Sequence, residues 1–157
     1  MEDDRAIPEA ELQAWAGFRY QVRVWGRIAE QAAREVGLAP QHQQVLLAIR
    51  GFPGGDHPRI IDLAEQMQLQ HHSMVGLLDR MQHEGLIKRE HRPDGRGVSV
   101  VITPDGDLKL DAAIAILRPK LRAAAVDLVA SLSQLLGEAT GAVPAPPAAP
   151  AATGAAQ

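Results

Sequence analysis

Between residues 59 and 103 the spacing of apolar side chains changes from a helical period to a strand period, and few folds accommodate that change. Ile61, Leu63, Ala64 and Met67 fall at helical spacing; a break follows at Leu69 and Gln70; Met74, Val75, Leu77, Leu78 and Met81 resume the helical pattern. Glu84-Gly85 closes the second run, because glycine just past a helix takes the left-handed conformation that other residues resist. Beyond it the period becomes two. Leu86, Lys88 and Glu90 alternate with Ile87, Arg89 and His91, and Val98, Val100 and Ile102 alternate with Ser99, Val101 and Thr103. Arg92-Pro93-Asp94-Gly95-Arg96-Gly97, between these runs, is turn chemistry. The stretch reads as helix, tight turn, helix and β-hairpin, that is, a winged helix-turn-helix.

The flanking segments read as helices. Leu12, Trp15, Phe18, Val22, Trp25, Ile28, Ala29 and Ala32 predict a helix over residues 9–36 with a broad apolar stripe. Gly37 ends it, and Pro40 opens a helix over residues 40–49 that turns Val45, Leu46 and Ile49 inward. Residues 51–58 are loop, and Arg59-Ile60 is expected as a short strand beside the wing. After the hairpin, Thr103 as cap, Pro104 in the first turn and Asp105 near the positive helix end open another helix. Pro119 is expected to bend or break it near Leu117 and Arg118, with a last helix running on to residue 139. Leu117, Leu121, Leu128, Leu132 and Leu135 form a seam too long for a lone surface helix. With Leu12 and Trp15 they are the expected dimer interface, a partner helix from a second copy being the simplest cover.

The expected fold class is therefore mostly α with a small β-wing, flanked by N- and C-terminal dimerisation helices. Residues 1–8 are read as a flexible terminus and residues 9–139 as one domain. Its winged lobe covers about 40–103 and its dimerisation helices about 9–36 and 104–139. Residues 140–157 are uncharged, rich in Ala and Pro, and expected to be disordered.

Composition narrows the function classes. Cysteine is absent, which excludes disulfides, cysteine-zinc sites and thiol redox switches. Neither a membrane-spanning run nor a signal peptide is visible, so a cytoplasmic protein is expected. The chain carries a net charge of −3, but the charge is unevenly spread. Residues 59–103 hold six basic and six acidic side chains, and Lys88, Arg89, Arg92 and Arg96 crowd into the wing. Phosphate binding requires a local positive surface, not a positive total. No Gly-rich phosphate loop, cysteine nucleophile or Ser-His-Asp set is present, and no enzyme is expected.

Several linked motifs give the chain a family likeness. Leu78-Asp79-Arg80-Met81, Glu84-Gly85-Leu86-Ile87-Lys88-Arg89, Asp94-Gly95-Arg96 and Thr103-Pro104-Asp105-Gly106 follow one another in an order that resembles the MarR family of bacterial regulators. The likeness runs over roughly residues 12–138. It implies a homodimer with intertwined terminal helices, one winged helix per half-site of a near-palindromic operator, and in many members repression relieved by a small aromatic or phenolic acid. Gly95 departs from the family's usual arginine at the middle of the wing-tip motif and removes one positive charge.

The candidate DNA-contacting residues follow from this architecture. Gln70, His71, His72 and Ser73 open the recognition helix, with Val75 and Gly76 one turn on. Gln pairs with adenine, and His and Ser meet bases or phosphates. The competing reading is that Ser73 is only a cap and the histidines are solvated. Arg96 is the leading wing residue, suited to a narrow minor groove. Asp94 is expected to orient Arg96 or cap the turn, and Arg92 and Lys88 to touch backbone or solubilise the hairpin. Asp79-Arg80 resembles the family's paired acid and base. For Asp79 the simpler role is a salt bridge between helix and wing; Arg80 is also a candidate DNA contact.

Trp15, Arg19, Arg23, Trp25 and His42 are candidates for an effector cleft, since Arg beside an aromatic holds an acid's carboxylate and ring. The alternative makes both Trp residues core or dimer contacts. Six histidines at poor spacing argue against a metal, and no cofactor is expected beyond such an effector. The expected partners are double-stranded DNA and a second copy of the chain, with no membrane. An effector-independent regulator, or a winged helix serving as a protein-interaction module, are the rival readings.

Overall fold

The computed structural model describes residues 7–53, 57–92 and 94–136. The expected flexible start, up to residue 6, and the expected disordered tail lie outside the described residues, as does the end of the last helix beyond residue 136. In chain order the elements are α1 (Glu9–Glu35), α2 (Pro40–Arg50), α3 (Ile60–Gln66), α4 (His71–His83), β1 (Ile87–His91), β2 (Val98–Ile102) and α5 (Pro104–Leu136).

The helix stops fall where the glycines predict. Gly37 and Gly85 have φ of 73° and 75°, the left-handed region that glycine enters without a Cβ clash. Pro40 sits in the first turn of α2, where a missing N–H costs nothing. The turn between α3 and α4 carries the exception: Gln68 holds φ 52° without being glycine, and its Nε2 donates to the Glu65 carbonyl at 2.7 Å.

The core of the winged lobe is aliphatic. Val45, Leu46 and Ile49 of α2 meet Leu63 and Ala64 of α3, Met74, Leu77, Leu78 and Met81 of α4, and Val100 of β2. In α3 the buried face is set by Ile60, Leu63, Ala64 and Met67, at i, i+3, i+4 and i+7; Ile61, expected on that face, lies about 100° round the helix from Ile60 and points outward. β1 and β2 pair antiparallel, with Ile87 opposite Ile102 and His91 opposite Val98. Strict alternation fails at two places. Leu86 and Ile87 are both buried, since Leu86 precedes the strand and lies under the start of α5. Ser99 and Val100 are both buried, since Arg59 bridges to Ser99 while the Val100 N–H donates to the Pro58 carbonyl at 3.0 Å. The expected Arg59-Ile60 strand is thus a single bridge at Arg59, and Ile60 already belongs to α3.

Two expectations for the C-terminal half need correction. Pro119 does not break the chain into two helices; α5 runs unbroken through it. Proline deletes one helical hydrogen bond, and α5, whose main neighbour is α1, keeps its helical conformation across that gap. The leucine seam is also largely covered from within. Leu117 is buried and Leu121, Leu128 and Leu135 are half-buried in the single chain, where α1 is the main neighbour of α5. Left uncovered on α5 are Leu108 and Val126 (each 70% exposed), Val129, Leu132 and Leu136, and on α1 Leu12, Trp15, Tyr20, Val22 and Trp25, with Ile7 just ahead of it.

Candidate nucleic-acid interface

α4 begins at His71 with Gln70 as its N-cap, and neither Gln70 nor Ser73 caps it through a side chain. Ser73 is the third helical residue, so its reading as the cap is corrected. Gln70, His71, His72 and Ser73 are all exposed. Among the described residues their side chains have no partner within the chain. Val75 and Gly76 are half-buried one turn on. A Cβ at Gly76 would meet only the tip of Arg80, at 3.9 Å, so nothing in the chain's own packing demands glycine there. Arg80 is exposed on the same helix.

The wing is tied to α4 by Arg89, whose sequence pattern marks it only as one of the wing's charges. Arg89 of β1 reaches back across the recognition helix. Its Nη1 donates to Asp79 at 2.7 Å and to Gln82 at 3.4 Å, and its Nη2 to the Val75 carbonyl at 3.4 Å. These acceptors stand at i, i+4 and i+7, one flank of α4. The helix-to-wing bridge expected of Asp79 is present, with Arg89 and not Arg80 as its partner. The available signal was the period-two register of β1, which places Arg89 on the strand face shared with Ile87.

The wing tip is organised by Asp94. It accepts from the Arg96 backbone N–H at 3.0 Å and from the Arg92 guanidinium at 3.3 Å. The Arg96 N–H first, and Arg92 second, hold its carboxyl below the usual carboxylate range. Arg92 also donates to the His57 carbonyl at 3.0 Å, which fastens the hairpin to the preceding loop. Arg92 is therefore occupied as a brace, and Lys88 is ion-paired with Glu90. Arg96 is exposed, and among the described residues its guanidinium has no partner. Gly95 and Gly97 flank it at φ 68° and 95°, so glycine at position 95 serves the turn itself.

The base of α3 is fixed by three hydrogen bonds between Arg59 and Asp62. Arg59 donates through its backbone N–H (2.8 Å), Nε (3.0 Å) and Nη2 (2.7 Å) to the Asp62 carboxylate. The Arg59 side chain is the largest cause of the lowered Asp62 pKa. At the other end of the lobe, Thr103 caps α5 as expected: its Oγ1 accepts from Gly106 N–H at 3.1 Å and donates to the Gly85 carbonyl at 2.6 Å.

The effector candidates do not form one cleft. Trp15 (50% exposed), Trp25 (41%), Arg19 and Arg23 lie on the open side of α1. His42 is 5% exposed and faces Glu84 at 3.0 Å, burial that removes it from such a group. A cavity of about 420 Å³ lies elsewhere, between the end of α2 and the junction of β2 with α5. Ile49, Val101 and Ile102 give it an apolar wall, and Arg50 and Asp107 a charged rim, with none of the five candidates lining it. Arg50 there is bonded to Asp107 at 3.2 Å and Asp111 at 2.5 Å. Among the described residues no group of three or more metal-ligating side chains occurs, and no helix is long and apolar enough to cross a membrane.

An exposed second helix, braced by a two-stranded wing and carried between long helices, defines a winged helix-turn-helix protein. Residues 36–97, from just before α2 to the wing tip, match the model of the MarR family. Members of that family are DNA-binding transcription regulators, not enzymes. No curated protein matches the sequence. Among solved structures, the chain is similar to AbsC, a MarR family transcriptional regulator from Streptomyces coelicolor. The TM-score is 0.70 at 21% identity, over 85% of this chain and 94% of that one. It is similar to Sco3205 from the same organism, solved in complex with DNA, with a TM-score of 0.66 at 18% identity over 81% and 80% of the two chains. It is also similar to Bordetella bronchiseptica BpsR, whose DNA binding is regulated by 6-hydroxynicotinic acid. There the TM-score is 0.57 at 19% identity, over 73% and 84%. At these identities the likeness establishes the fold.

Proposed function

We propose that the protein is a sequence-specific DNA-binding transcription regulator that acts as a homodimer on a near-palindromic operator. Most of the support comes from the first turn of α4, whose four polar side chains are exposed and unpartnered within the chain while the helix behind them is braced by Arg89. Gln70, His71, His72 and Ser73 read base edges in the major groove, with Val75, Gly76 and Arg80 close to the DNA. Arg96 meets the backbone or minor groove beside it. The uncovered apolar residues of α1 and α5 supply the dimer contact, and two recognition helices then sit about 34 Å apart. Repression is relieved when a small aromatic or phenolic acid favours a different separation of the lobes.

The test is fluorescence anisotropy with a duplex carrying the inverted repeat upstream of the protein's own coding region. Arg96→Ala is expected to lose most binding and to lower the salt slope by about 1. His71→Ala is expected to change sequence preference. Unchanged affinity and preference in both variants would overturn the site assignment. Weak, salt-insensitive binding to any duplex would instead mark a protein-interaction module, and release by no aromatic carboxylate an effector-independent regulator. Val129→Glu with Leu132→Glu is expected to give a monomer by sedimentation velocity; a persistent dimer would place the interface elsewhere.

A further inference from the structure

α1 is divided by charge along its length. Residues 12–29 contain Arg19, Arg23 and Arg27 and no acid, whereas the start of the helix carries Glu9 and Glu11. All three arginines are exposed, and among the described residues none has a partner. Glu9 holds only the neutral Gln13, at 3.3 Å, and Glu11 has no partner among the described residues. Most other acids of the two long helices are committed: Glu30 to Arg34, Glu35 to Lys120, Asp105 to Lys109, and Asp107 and Asp111 to Arg50. Glu9 and Arg23 lie about 21 Å apart along the helix, so these opposite charges do not answer each other within one chain.

The two charged groups share an edge. At about 100° per residue, Glu9 and Arg27 fall on one line of the helix, five whole turns apart, and Arg23 lies about 40° from that line. The same edge borders the uncovered apolar residues Leu12, Trp15 and Val22. A twofold axis that sets two copies of α1 antiparallel keeps this edge on the same side of both. An axis passing near the exposed Ala16 brings Glu9 of each copy level with Arg23 of the other. Parallel copies would bring acid level with acid and arginine level with arginine.

We propose that α1 docks antiparallel on α1 of a second copy, with its centre near Ala16, Glu9 and Glu11 of each copy answering Arg23 and Arg27 of the other. This rests on the homodimer proposed above and specifies its register. The competing partner helix is α5, but beyond Asp111 its described residues hold Arg118, Lys120 and Arg122 against the single acid Asp127. Exposed ion pairs add little affinity singly; arranged in this way they select orientation, because the alternatives set like charges together.

The experiment is sedimentation velocity on the full chain with reversed charges. Arg23→Glu with Arg27→Glu, and separately Glu9→Lys with Glu11→Lys, are each expected to raise the dimer dissociation constant about thirtyfold. An equimolar mixture of the two variants is expected to regain the wild-type constant, since every contact is again between opposite charges; a misfolded variant would not be rescued. The chain has no native cysteine, so Ala16→Cys reports the axis directly and is expected to form a disulfide-linked dimer on mild oxidation, while Arg27→Cys is not. Variants that dimerise like wild type, a mixture no tighter than its components, or a dimer that Ala16→Cys does not link would each overturn the docking. So would normal dimerisation of the arginine variant with weakened binding to the operator duplex, which would make the stripe a DNA contact. A wild-type dimer indifferent to these reversals leaves the proposed homodimer standing; a wild-type monomer removes both.

Discussion

Replacing Gly106 with alanine tests how the wing is joined to α5. A Cβ at this position would lie 2.2 Å from the Leu86 carbonyl oxygen, 3.0 Å from the Leu86 carbonyl carbon and 3.1 Å from Ile102 Cγ2. The first separation is roughly 1 Å inside an ordinary carbon–oxygen contact, and the atom it strikes is backbone. α5 must lift from the hairpin, which costs about 1–3 kcal/mol as overpacking does elsewhere. The shift also strains two bonds at the same joint, Thr103 N–H to the Leu86 carbonyl at 3.1 Å and Thr103 Oγ1 to the Gly85 carbonyl at 2.6 Å. Their loss is worth about 1 kcal/mol each. Alanine returns about 1 kcal/mol through its helix propensity. The net destabilisation is about 2–4 kcal/mol, read as a lower urea midpoint at unchanged slope. Gly17→Ala is the control: it lies inside α1 with nothing within 4 Å of its Cβ, and it is expected to gain about 0.5–1 kcal/mol. A Gly106→Ala protein as stable as wild type would refute the close-approach argument.

Three further outcomes follow from contacts already described. Arg89→Ala and Asp79→Ala are each expected to weaken binding to the operator duplex by about tenfold, with strongly non-additive effects in the double variant; additive losses would show that the two residues do not act as one brace. Asp62 has a lowered carboxyl pKa, so its contribution to stability is present above the ordinary carboxylate value near about pH 4 and is lost as pH falls through the lowered one. Asp62→Asn is expected to flatten that part of the acid limb of thermal stability against pH, and an unchanged limb would discount the Arg59 contact. Gln68→Val is expected to lower stability by about 1–2 kcal/mol, because a β-branched residue resists the left-handed region that Gln68 occupies; no change in chemical unfolding would contradict the φ of 52°.

Local chemistry made the frame of the fold legible. Gly37, Pro40, Gly85 and Thr103 each act within a few residues of themselves, and the helix ends fell at or near their predicted places. Misreadings arose where distant contacts decide. Pro119 breaks a helix by a local rule, but α5, packed chiefly against α1, stays continuous through it. The leucine rhythm of α5 correctly announced a helix–helix seam, yet periodicity does not say whether the covering helix comes from the same chain. At the candidate interface, the exposed start of α4 was readable from its polar run. The bracing roles of Arg92 and Arg89 were not, because their partners at His57 and along α4 are brought near only by folding. His42 was misassigned for the same reason, Glu84 lying 42 positions away in the chain.

The joint at Gly106 has a mechanical corollary. α5 contains 33 residues, which makes it a rod about 50 Å long at the usual helical rise. Rooted without slack on the Leu86 carbonyl, such a rod converts a tilt of about 5° at the hairpin into a sweep of roughly 4 Å at its far end. Small rotations of the winged lobe are thereby geared up into large excursions at the far end of α5, and displacements imposed there are geared down again on the way back.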